Sequence, residues 1–282
     1  MAGAAVTVWL DGEVHPAQEA RIAALDHGVT VGDGVFETLK VVDGRPFAIT
    51  RHLRRLARSA QVLGLDCPAA GTVLDAVGDL MAAAGRVPLA RLRITVTGGP
   101  GPLGSDRGST APTLVLAIAP SAPWPGHIAV VSAPWARNEH SAVAGAKTTS
   151  YAENVVALRW AQQHGAHEAL MPNTAGLLCE GTGSNVVVER GGVLVTPPLR
   201  SGCLAGITRE LFLEFAARHQ LPVIEDDIPM AELAEAGEVL LTSSTRDVQS
   251  VNLLDGRALK VSPLGRAAVD LFSRCAAEGV DP

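Results

Sequence analysis

Apolar residues along this chain fall into short alternating runs and longer stretches at helical spacing, punctuated by Gly, Pro and Asp. Val6–Leu10 runs into Asp11-Gly12, and Thr38–Val42 runs into Asp43-Gly44 before Arg45–Ile49. Asp-Gly between two apolar runs predicts a hairpin in each case. Leu53, Leu56, Ala60 and Leu63 recur every three or four residues, which predicts a helix capped by Thr50 and ended by Gly64. A second helix is predicted over Gly71–Ala84, then strands over Leu92–Thr97 and Thr113–Ile118 with the Gly/Pro loop Gly98–Gly108 between them.

Residues 119–126 (APSAPWPG) hold three prolines and a glycine, and they read as a linker. The expected organisation is a smaller N-terminal α/β domain over 1–118 and a larger C-terminal domain over 127–282. Beyond the linker, strands are predicted at Ile128–Ser132, Ala169–Met171, Gly183–Glu189, Val193–Thr196 and Val239–Leu241. Helices are predicted at Glu153–His164, Ile207–His219 and Pro263–Ala277. The fold class is therefore α/β, with mixed α and β elements in two domains.

Composition narrows the function. At 47% hydrophobic and 18% charged, the 282 residues are those of a globular protein with an aliphatic core, since only 4% are aromatic. A net charge of −6 gives no basic surface for nucleic acid. The cysteines (Cys67, Cys179, Cys203, Cys275) have neither zinc-site nor disulfide-framework spacing, and no metal is expected. With neither a signal-peptide pattern nor an apolar run of membrane-spanning length, a cytoplasmic location is the expectation.

Several polar residues stand at turns in apolar surroundings. Lys147, in GAKTTSYAEN, reads either as a loop lysine or as a nucleophilic amine, which would need partial desolvation. Glu180, in LLCEGTGSNVVV, either occupies a turn or presents a carboxylate to a ring nitrogen. Gly206-Ile207-Thr208 opens a helix whose free N–H groups suit a phosphate, and Thr242–Thr245 offers hydroxyl donors. Arg55 is one of four arginines at helical spacing, most of them expected on a solvated face.

The order GDGVFET (32–38), HLRRL (52–56), AKTTSYAEN (146–154), CEGTGSNVV (179–187), LAGITRE (204–210) and LLTSSTRDVQSV (240–251) spans nearly the whole chain. It resembles the class IV aminotransferase family, the fold type IV enzymes that use pyridoxal 5'-phosphate (PLP). Branched-chain aminotransferases, D-amino-acid aminotransferases and aminodeoxychorismate lyase belong to that family. The resemblance implies a two-domain fold like that of D-amino-acid aminotransferase, with Lys147, in the larger C-terminal domain, holding the cofactor covalently. It further implies that Arg55, Ile207, Thr208 and Ser244 bind the phosphate, that Glu180 pairs with the pyridine nitrogen, and that Tyr151 reaches the phenolic oxygen. A small-molecule substrate and a homodimer, with the active site between the domains and completed by a neighbouring subunit, are implied as well.

For the reaction itself, Phe36 and Gly98 stand where D-amino-acid enzymes of the family have carboxylate-binding Tyr and Arg. Arg93 lies near an arginine of the branched-chain enzymes, and is otherwise an exposed strand charge. The turn Phe36-Glu37-Thr38 resembles the lyase, and Gly98 with its loop is expected to leave room for a bulky cyclic substrate. The first expectation is thus 4-amino-4-deoxychorismate lyase, releasing pyruvate and 4-aminobenzoate for the folate pathway. The alternatives are an amino-acid aminotransferase of branched-chain or D-amino-acid type, a bifunctional enzyme, and a non-catalytic PLP-binding homologue.

Overall fold

The computed structural model describes residues 6–282, which divide into two compact units. The first ends at Pro123 and also takes Ala146–Tyr151, while the second comprises Trp124–Gly145 and Ala152–Val280.

In the first unit, six strands form one antiparallel sheet in the order β2-β1-β6-β5-β3-β4. They are β1 (Thr7–Leu10), β2 (Glu13–Pro16), β3 (Gly34–Val42), β4 (Arg45–Pro46), β5 (Leu89–Thr97) and β6 (Thr113–Pro120). Three helices accompany them: the single turn α1 (His27–Thr30), α2 (Ile49–Leu63) and α3 (Ala70–Ala84). Along β5 the alternation is plain: Ala90, Leu92, Ile94 and Val96 are buried while Arg91 and Arg93 are exposed. Their buried face joins Val35, Leu39 and Leu116 in a core with Leu53 and Leu56 of α2 and Val73 and Leu80 of α3. Burying each such side chain stabilises by about 1.5–3 kcal/mol. Both Asp-Gly pairs make the expected hairpins, with Asp11 and Asp43 at φ 49° and their glycines also at positive φ.

Helix α2 departs from its predicted start. Thr50 is already helical, bonding Asp281 through N and Oγ1, and Ala48 precedes the helix at φ 54°. Its predicted end holds: Gly64, at φ 58°, returns its N–H to Ala60 and Gln61.

Lys147 was expected in the C-terminal domain, but it groups with the first unit. The reason is backbone pairing. Phe36 N–H donates to the Lys147 carbonyl (3.0 Å), Thr149 N–H donates to the Gly34 carbonyl (2.8 Å), and Val35 bridges Thr148. The chain around Thr148 thereby pairs with the start of β3.

The second unit holds β7 (His127–Ser132), β8 (Glu168–Pro172), β9 (Leu178–Gly181), β10 (Asn185–Arg190), β11 (Val193–Thr196), β12 (Val223–Glu225), β13 (Val239–Ser243), β14 (Asp247–Leu254) and β15 (Arg257–Ala258). Its helices are α4 (Ala152–Gln163), α5 (Ile207–Arg218) and α6 (Pro263–Glu278). The strands form one mixed sheet, β12-β11-β10-β13-β14-β7-β8-β9, with β15 on β14. Strands β8, β10 and β13 are buried nearly throughout, as befits strands covered on both faces. One cluster joins Ile128, Leu170, Val186, Leu241 and Val251, while Phe212, Phe215 and Phe272 are buried in α5 and α6.

The predicted strand Gly183–Glu189 begins only at Asn185, because residues 182–184 turn the chain from β9 into β10, with Gly181 N–H bonded to the Ser184 carbonyl. The Ser/Thr cluster runs from the end of β13 into the hairpin turn before β14, a strand the hydrophobic pattern did not show. The four cysteines are free thiols. Among the described residues no helix is long and apolar enough to cross a membrane.

Candidate active site

The first unit gathers Phe36, Arg55, Arg93, Lys147 and Tyr151. The Lys147 ammonium lies 4.4 Å from the centre of the Phe36 ring and 5.5 Å from that of Tyr151. The two rings meet edge to face at 5.2 Å. On the same side of the sheet the Arg93 guanidinium lies over Phe36 at 3.3 Å, and Thr38 pairs with Arg93 across β3 and β5. A cation over an aromatic face is stabilised by the ring quadrupole while its outer edge stays open to an anion. The Lys147 main chain is pinned, its N–H donating to Ser59 Oγ at 3.0 Å.

Beneath this face lies a feature the motifs did not reveal. Glu37 shares one face of β3 with Val35, Leu39 and Val41, so its carboxylate enters the core. There it takes Arg55 Nε (2.8 Å) and Nη2 (2.6 Å) and His52 Nδ1 (2.6 Å), all three residues being buried. Burial pushes the Glu37 carboxyl up, but the Arg55 charge and hydrogen bonds together with His52 outweigh it and hold the pKa at about 2. Burial lowers the His52 pKa more than Glu37 raises it. An acid among inward-facing apolar positions was the available signal.

In the second unit Glu180 sits at the end of β9. Its Oε2 accepts from Leu204 N–H (2.9 Å), and its Oε1 is 3.3 Å from Arg137 Nε. Arg137 also reaches Glu153 and Asn154 in the first turn of α4, and Asn154 donates to the Thr182 carbonyl. Nothing in the sequence singled out Arg137. Ile207 and Thr208 open α5, whose N-cap Gly206 makes no side-chain bond. Asn185 crowds that glycine, since a Cβ there would fall 1.9 Å from Asn185 Oδ1. Ser244 lies in the β13–β14 turn.

Gly98 is not the opening it was expected to be. It is buried, and a Cβ there would lie 2.6 Å from Asp33 Oδ2 and 3.2 Å from His27 Cβ. Arg107 fills that corner, clasping Asp33 with two donors and binding the Leu63 and Gly64 carbonyls.

These residues suit PLP, which needs an amine, an acid for its ring nitrogen, and donors for a dianionic phosphate. The first unit offers such an amine in Lys147, and the second offers such an acid in Glu180. An uncapped twelve-residue helix start leaves N–H groups for an anion.

The family model for class IV amino-transferases matches residues 34–254. A Methanocaldococcus jannaschii protein provisionally assigned as a branched-chain-amino-acid aminotransferase is 30% identical over 263 residues, 92% of this chain and 91% of that one. The D-alanine aminotransferase of Staphylococcus aureus is 26% identical over 283 residues, covering 95% and 96%. Among solved structures, the branched-chain aminotransferase of Thermoproteus uzoniensis with norvaline superposes with a TM-score of 0.91 at 28% identity, covering 97% and 95%. These names favour a transaminase over the lyase expectation, for which they offer no support. With matched motifs, fold and full-length relatives in agreement, this chain belongs to the class IV aminotransferases, the PLP-dependent enzymes of fold type IV.

Proposed function

We propose that the chain is an amino-acid aminotransferase of the branched-chain type, and that Arg93 receives the substrate's carboxylate. The observation that carries this reading is the Arg93 guanidinium stacked at 3.3 Å on Phe36, the ring that also bears the Lys147 ammonium. Arg93 makes no ion pair among the described residues; its one bond is a 3.4 Å contact to Thr95 Oγ1. A guanidinium and an amine that both contact one ring offer separate partners to the carboxylate and the amino group of an α-amino acid.

Lys147 is assigned as the residue that carries the cofactor and moves the proton at the substrate's α-carbon. Arg55, Ile207, Thr208 and Ser244 are assigned to the phosphate. Tyr151 is assigned to the phenolic oxygen, and Phe36 and Thr38 to the substrate floor. Glu180, oriented by Leu204 N–H and Arg137, is assigned to the ring nitrogen. Bound PLP supplies an electron sink for the negative charge left on the substrate's α-carbon.

The D-amino-acid alternative is supported by the S. aureus relative but opposed by Phe36 and by Gly98, whose corner Asp33 and Arg107 occupy. The lyase reading leaned on space at Gly98 that Asp33 and Arg107 occupy. A panel of L- and D-amino acids with 2-oxoglutarate, run beside 4-amino-4-deoxychorismate, tests the assignment. We expect the highest kcat/KM for an L-branched-chain amino acid. A preference for D-alanine, or pyruvate release from aminodeoxychorismate as the main activity, would overturn it.

A further inference from the structure

Glu168 opens β8, is 1% exposed, and has no part in the roles assigned above. Its two carboxylate oxygens grip two different turns. Oε2 accepts from Gly183 N–H (3.2 Å) and Ser184 Oγ (2.7 Å), in the turn that follows Glu180. Oε1 meets Arg246 Nη2 at 2.5 Å, in the turn that carries Ser244. The Arg246 guanidinium lies 3.9 Å over the Trp124 ring with its side chain 8% exposed, so this ion pair is shielded from solvent.

The sheet itself does not join these turns. Pairing of β10 with β13 starts at Asn185 and Thr242, and pairing of β13 with β14 stops at Ser243 and Asp247. Residues 182–184 and 244–246 therefore project beyond the ladder, and Glu168 spans from one to the other. The fit is close on the first side: a Cβ on Gly181 would come within 2.5 Å of Glu168 Oε2. A carboxylate with both oxygens engaged in a low-dielectric site holds its partners more firmly than neutral contacts do.

We propose that Glu168 is a positioning residue that fixes the Ser244 turn against the turn after Glu180, so that Ser244 is held ready for the cofactor phosphate. The inference rests on the assignment of Ser244 to phosphate. A purely structural ion pair would stabilise the protein without regard to the phosphate, whereas a positioning residue acts through Ser244.

The experiment compares the dissociation constants of the apoprotein for PLP and for pyridoxal, which lacks the phosphate. Four proteins are measured beside wild type: Ser244→Ala, Glu168→Gln, the double variant and the milder Ser184→Ala. Ser244→Ala is expected to cut the preference for PLP over pyridoxal about tenfold, the loss of roughly one good hydrogen bond. Glu168→Gln should cut it by a similar factor while pyridoxal binding stays within about twofold, and the double variant should be no worse than Ser244→Ala, as for residues acting in one chain of contacts. Equal weakening of both ligands by Glu168→Gln, or effects that multiply in the double variant, would overturn the proposal while leaving the Ser244 assignment standing. An unchanged preference in Ser244→Ala would remove that assignment and the proposal with it. Should Glu168→Gln not fold, Ser184→Ala decides: a preference cut about threefold supports the proposal, and no change beside an effective Ser244→Ala refutes it.

Discussion

Replacing Glu37 by Gln removes one charge from a buried cluster while keeping the side chain's shape. In the wild-type protein the carboxylate is fully buried between Arg55 and His52, with a pKa of about 2 instead of the ordinary 4.5. By linkage, that depression is worth about 3 kcal/mol of folding free energy at neutral pH. The sign follows from the lowered pKa: the contribution is complete above pH 4.5 and is lost as the pH falls through 2. At pH 3 less than half of it should remain. Gln cannot be titrated and leaves the buried Arg55 without its counter-charge, which adds to the cost at pH 7. Urea unfolding of the two apoproteins at pH 7 and pH 3, followed by circular dichroism, reads the charge contribution as the narrowing of the gap between them in acid. Near-equal stability at pH 7, or a gap that does not narrow in acid, would show that the pair contributes nothing through its charge. His52 works in the same direction, since a histidine whose pKa is lowered by burial costs stability as the pH drops below its ordinary 6.5.

The other expectations concern the cofactor and the loop. Lys147→Ala should lose both turnover and the visible absorbance of covalently held PLP, and borohydride should attach the label in wild type to Lys147; a label on another lysine contradicts the assignment. Arg55→Ala should weaken PLP retention by about one to two orders of magnitude, checked by dialysis and reconstitution, because a charge-assisted contact contributes about 1.5–3 kcal/mol. Glu180→Gln should retain the cofactor yet turn over far more slowly in a stopped-flow half-reaction, and an unchanged rate would place control of the ring nitrogen elsewhere. Gly98→Arg should not create D-amino-acid activity and should lower the melting temperature, since its Cβ would fall 2.6 Å from the Asp33 carboxylate that Arg107 holds in place.

Much of this was legible along the chain because it depends on local rules. Asp-Gly between apolar runs demanded positive φ and produced both hairpins, and Gly64 ended α2 as its missing Cβ allows. The order of the polar motifs sufficed for the family and for PLP, since each motif is a short contiguous segment whose chemistry depends on neighbours in sequence. What remained hidden depends on residues distant in sequence. That Lys147 joins the first unit was settled by backbone bonds to Gly34 and Phe36 more than a hundred residues earlier. Arg137 meets Glu180 across 43 positions and Glu168 meets Arg246 across 78, and no periodicity encodes such pairs. Gly98 shows the limit most directly. A glycine in sequence reads as empty space, but tertiary packing had already filled that space with Asp33, His27 and Arg107, because buried volume in a folded chain is taken up by whichever side chains converge on it.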